Sequence, residues 1–114
     1  MTQWEALALT LALEVPVALL IAWLCGLRDD LARVAAVAVA ASLVTHPIAW
    51  YLAVSGLADW PFWQRAAVIE AAVVAAETVV YAKALKLRWP PALGVAFTAN
   101  AVSFAGGLLL VRLL

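Results

Sequence analysis

Four long apolar stretches, separated by short clusters of charge, glycine or proline, organise the chain. The first covers positions 4–27 and stops at Gly26 and the charged turn Arg28-Asp29-Asp30. The second covers 31–55 and gives way to a loop from Gly56 to Pro61 that contains Asp59. The third, 63–85, ends in the cluster Lys86-Leu87-Arg88-Trp89-Pro90-Pro91, whose paired prolines close one helix and can open the next. The fourth fills 92–111. A hydrocarbon core of about 30 Å needs about 20 mostly apolar residues per helical crossing, so the pattern predicts an all-α, integral membrane four-helix bundle with short loops. Positions 1–114 are expected to form a single transmembrane domain. The first stretch is read as a retained helix, because it lacks a basic leading region and outruns the roughly 7–15 apolar residues of a signal peptide.

The polar residues inside these stretches carry the chemical information. Glu14 lies in the first, His46 in the second, Glu70 and Glu77 in the third, and Asn100 with Ser103 in the fourth. At ~1.5 Å per residue, each falls within roughly 7 Å of the middle of its own span. Their spacing predicts one inward stripe per helix: Thr10 with Glu14, Ser42 with His46, Glu70 with Glu77 and Tyr81, and Asn100 with Ser103 and Gly107. An ionisable group at the bilayer centre costs at least ~2.5–3.5 kcal/mol, so these groups are expected to face the bundle interior. Ala96, Ser103 and Gly107 are expected to let helix 4 approach a neighbour closely. Pro16 and Pro47 remove the amides that would bond the carbonyls of Ala12 and Leu43, and the freed carbonyls are candidate cation ligands.

Composition agrees with a lipid solvent: of 114 residues, 68% are hydrophobic and 12% charged. Net charge is zero, and the seven basic residues form no stripe, which argues against a nucleic-acid partner. One cysteine, Cys25, excludes an internal disulfide. Charge matters most in the middle layer, where three carboxyls and one imidazole have no lysine or arginine at comparable depth. They cannot all be ionised and unpaired, so the layer is expected to hold a proton or to attract another cation.

Arg28, Arg33, Lys83, Lys86 and Arg88 gather at the ends joined by the first and third turns, against Arg65 and Arg112 at the other. The positive-inside bias then predicts both termini outside the cytoplasm, in what is expected to be a bacterial inner membrane. Glu14 in the first of four short spans resembles the small multidrug resistance transporters, which implies a glutamate shared by protons and cationic substrates. The likeness covers the topology and that residue, since the third helix here reads Glu70-Ala-Ala-Val-Val-Ala-Ala-Glu77. The leading expectation is a small transporter or channel for protons or another cation, built as a homo-oligomer, with Glu14, His46, Glu70, Glu77 and Asn100 at the site. Thr10, Ser42, Tyr81, Ser103, Pro16 and Pro47 support it. Glu14, His46, Glu70 and Glu77 are the ligands if a metal cation is bound, and a bound lipid is a further possible cofactor. The alternatives are an accessory subunit of a larger membrane complex and a membrane-embedded enzyme acting on a lipid or isoprenoid. No metalloprotease, di-iron or serine-hydrolase motif supports the last.

Overall fold

The structure is a computed structural model that describes residues 2–113. Helix α1 runs Gln3–Leu24, α2 Leu31–Tyr51, α3 Phe62–Ala84 and α4 Trp89–Leu113, and no strand occurs among the described residues. The four pack in a closed ring, α1 on α2, α2 on α3, α3 on α4 and α4 back on α1, within an envelope of 43 × 26 × 19 Å. Helices α1 and α3 therefore face each other diagonally. Three segments, Gln3–Leu24, Arg28–Gly56 and Trp89–Leu110, are long and apolar enough to cross a membrane. Helix α3 is long enough but is not among them, because Arg65, Glu70, Glu77 and Lys83 are spread along it. The outward surface is apolar, with Leu20, Val44, Ile48, Val79, Phe97 and Leu109 all exposed, as suits contact with hydrocarbon.

Local chemistry sets the helix ends. At the start of α1 the Thr2 hydroxyl accepts from the Glu5 amide at 3.1 Å while the Glu5 carboxyl accepts from the Thr2 amide at 3.2 Å, a reciprocal capping box. Helix α1 ends at Leu24, one turn before the expected limit, because Gly26 takes a left-handed φ of 93° and Leu27 donates back to the Ala22 carbonyl. Helix α3 closes the same way around Lys86, at φ 53°, with Leu87 donating to Ala82. Gly26→Ala should lower stability by about 1 kcal/mol, since a Cβ in that conformation crowds the next carbonyl. Its lateral space is open, so a loss well above that in detergent unfolding would contradict a purely backbone origin. Helix α4 begins three residues earlier than expected, because Trp89 and the two prolines fit a first turn, whose amides need no partners.

The bundle is packed unevenly along its axis. At the end holding the α1–α2 and α3–α4 turns, Ala18, Ala22, Val34, Ala38, Tyr81, Ala92, Val95 and Ala96 form a tight core. Small side chains bring backbones close there, and Arg33 ties α2 to the end of α3 by donating to the Ala84 carbonyl at 2.7 Å. At the opposite end α2 widens into a π-helical turn, Leu52–Gly56, where Leu57 donates to Leu52 at 2.8 Å. Helices α2 and α3 touch less than the other neighbours, and the bundle opens into a cavity there.

Close approach on α4 falls on a different glycine from the expected one. A Cβ on Gly106 would lie 2.6 Å from Leu13 Cδ1, whereas one on Gly107 meets nothing within 4 Å. Gly106 packs against α1, and Gly107 faces the cavity.

Candidate functional site

The polar residues sort into two tiers. The inner tier lies against the alanine-rich core. Glu14 of α1 is buried and accepts from the Ser42 hydroxyl of α2 at 2.8 Å. Glu77 of α3, 1% exposed, accepts at one oxygen from Asn100 Nδ2 of α4 at 2.5 Å and at the other from Thr45 Oγ1 of α2 at 3.1 Å. Tyr81, one turn further along α3, is buried in the core beside this tier. Every helix supplies a member, and α2 holds the tier together because Ser42 and Thr45 share a face at i, i+3.

The outer tier stands one or two turns nearer the open end. Thr10, His46, Glu70 and Ser103, one from each helix, line a cavity of about 350 Å³ whose walls include Trp50, Phe62 and Phe104. Glu70 is half-buried and, among the described residues, receives no hydrogen bond and no ion pair. Arg65 also lines the cavity. Its guanidinium donates to the carbonyls of Ala53 and Ala58, both at 3.2 Å, and lies 5.9 Å from the Phe62 ring, so it braces the π-helical turn. His46 Nε2 is buried without a partner, and the ring lies 6.2 Å from Trp50. A buried ring nitrogen left unpaired is costly.

Glu14, Glu70 and Glu77 are all at least partly buried, and none has a basic hydrogen-bond partner among the described residues. They do not form one coordination sphere. Glu70 and Glu77 are seven residues apart, about 10 Å along α3, and among the described residues no three His, Cys, Asp or Glu side chains come together as a metal-holding group. The expected four-ligand metal set of Glu14, His46, Glu70 and Glu77 is divided between the tiers. Pro16 and Pro47 are on the exposed surface together with Ala12 and Leu43, and both helices continue through them. Their freed carbonyls belong to turns facing away from the carboxyls.

Three features escape a sequence reading. Thr45 passes as an unremarkable neighbour of His46, although its i+3 relation to Ser42 is a legible signal. Arg65 reads as an end charge, and only the widened turn beside it explains its inward reach. The wall of Trp50, Phe62 and Phe104 comes from three helices and carries no common spacing. The chain matches no family model, and neither a curated protein nor a solved structure is similar to it.

Proposed function

We propose that the chain is a small membrane transporter or channel for protons or another cation, crossing the bilayer with all four helices. What carries the reading is the burial of Glu14 and Glu77 with only hydroxyl and amide donors on them, one or two turns from Glu70 in the cavity. A buried carboxylate without a basic partner needs a bound cation or a proton of its own. Several such groups close together make a place where cations exchange. The separation of the tiers favours a species handed from group to group, as a proton is, over a metal held by many ligands at once.

Helix α3 fits a fourth span because most of its charges are sheltered from lipid. Glu77 is enclosed, Arg65 lines the cavity, Lys83 is in the last turn, and Glu70 lies between the cavity and an outer groove along α3 and α4. The basic residues gathered at the two-turn end orient that end to the cytoplasm of a bacterial inner membrane, with both termini outside. The cavity then opens outward and leads by way of Ser103 and Thr10 towards Glu14. Neither buried carboxyl lines it, so passage onward needs proton transfer along the tier or a second copy of the chain to complete the path.

Proteoliposomes with a pH-sensitive dye inside give the test. Wild-type protein should dissipate an imposed proton gradient, and Glu14→Gln should slow it by about two orders of magnitude, the usual weight of a proton-transferring group. The Ser42 hydroxyl can still donate to the new amide, so the fold should survive. Wild-type vesicles no leakier than empty ones, to protons and to monovalent cations alike, would overturn the reading.

A further inference from the structure

The 350 Å³ cavity has a neighbour on the other side of Glu70 and Phe104. A second depression of about 620 Å³ runs along the outer face between α3 and α4, and its lining shares Ala66, Glu70 and Phe104 with the cavity. It is bordered by Ala67, Ala71, Val74, Leu93 and Phe97, all apolar, and faces the surface that hydrocarbon would cover. A mostly apolar cavity carrying a few polar groups and a greasy groove on the outer face therefore lie side by side, at Glu70, which has no hydrogen-bond partner among the described residues.

From this adjacency we infer that the pair of depressions binds a single-chain amphiphile entering from the bilayer, its chain in the α3–α4 groove and an uncharged, hydrogen-bonding head, a hydroxyl or carbonyl, in the cavity. Both volumes fall in the range of about 300–1,000 Å³ typical of small-molecule sites, and both are mostly apolar with a few convergent polar groups. Charge selects the head. Glu70 and Arg65 line the same chamber with opposite signs, so a charged head of either sign sets one attraction against one repulsion and still gives up its hydration among mostly apolar walls. A neutral head avoids that cost. It also gives His46 Nε2 a partner, and Thr10 and Ser103 offer further hydroxyls to it. The inference stands apart from cation movement, because binding can occur whether or not the carboxyls carry protons across.

The test is quenching of tryptophan fluorescence by 9,10-dibromostearyl alcohol in phosphatidylcholine nanodiscs holding the full chain. Trp50 borders the chamber and Trp63 the groove, so both lie within reach of a bound probe. Quenching should rise to saturation at low mole fraction, above the linear increase from probe dissolved in lipid. Two substitutions should weaken the saturable part at least tenfold: Gly107→Leu, which projects into the open chamber, and Ala71→Phe, which fills the groove. Neither site is in the packed core, and gel filtration with circular dichroism identifies any variant that misfolds. The dibrominated amine and carboxylate of equal chain length should bind at least tenfold more weakly than the alcohol. Purely linear quenching, saturable quenching unaltered in both folded variants, or tighter binding of either charged analogue would each overturn the inference. None of these results depends on proton flux, so the two readings fail separately.

Discussion

Proteoliposomes carrying Glu77→Gln are expected to lose proton or cation flux by about two orders of magnitude while the protein stays folded. Glu77 is the most enclosed ionisable group of the bundle and the only carboxyl that joins three helices. Glutamine keeps its size and an oxygen able to accept from Asn100 or Thr45. Both donors also have a second acceptor: Thr45 Oγ1 reaches the Ala41 carbonyl at 3.0 Å and Asn100 Nδ2 the Ala96 carbonyl at 2.8 Å. Exchange of neutral hydrogen bonds changes stability by about 1 kcal/mol or less. What the substitution removes is the titrating oxygen. Glu77→Asp, which restores a carboxyl one methylene shorter, should recover part of the flux, a rescue that a merely structural role would not produce. Wild-type flux in a folded Glu77→Gln protein would take the residue out of the pathway.

The largest stability loss is expected from Asn100→Leu, about 1–3 kcal/mol, the cost of leaving a buried polar group without its donor. Leucine has the heavy-atom branching of asparagine but bulkier methyl ends, so it leaves no cavity and any overpacking adds to the loss. The Glu77 carboxyl, however, keeps only Thr45, whose hydroxyl is shared with Ala41. Pairing the change with Glu77→Met should return most of the loss, since replacing both partners by apolar groups of similar shape is nearly neutral. Equilibrium unfolding in mixed micelles over this cycle measures the coupling directly. Additive effects would mean that the 2.5 Å contact contributes nothing to stability.

The inward stripes expected from spacing hold for the buried members of each helix. Leu7, Glu14, Ala18 and Ala22 share one face of α1, and Ala92, Val95, Ala96, Ala99 and Asn100 one face of α4. Of these, the sequence pattern singles out only Glu14, Ala96 and Asn100; the rest join the same faces because 3.6 residues per turn fixes which side chains travel together. It did not set the partners. Ser42 and His46 lie on one stripe, yet Ser42 meets Glu14 in the inner tier and His46 faces the cavity a turn away. Likewise Glu70 and Glu77 share a helix face, but of the two only Glu77 has donors within reach, from α2 and α4, while Glu70 lines the cavity.

Read alone, the chain determined its helices, the breakers between them, the apolar length of α1, α2 and α4, and the need to enclose its carboxyls. These follow from local energetics: hydrocarbon forbids unpaired backbone groups and penalises charge at every position separately. Only tertiary structure decided that Glu70 is left without a partner, that Arg65 reaches the chamber, and that Gly106 carries the close contact while Gly107 stays open. Such choices depend on how far one helix slides and turns against the next. That offset is settled by many small side chains interlocking at once, and no single helix records it.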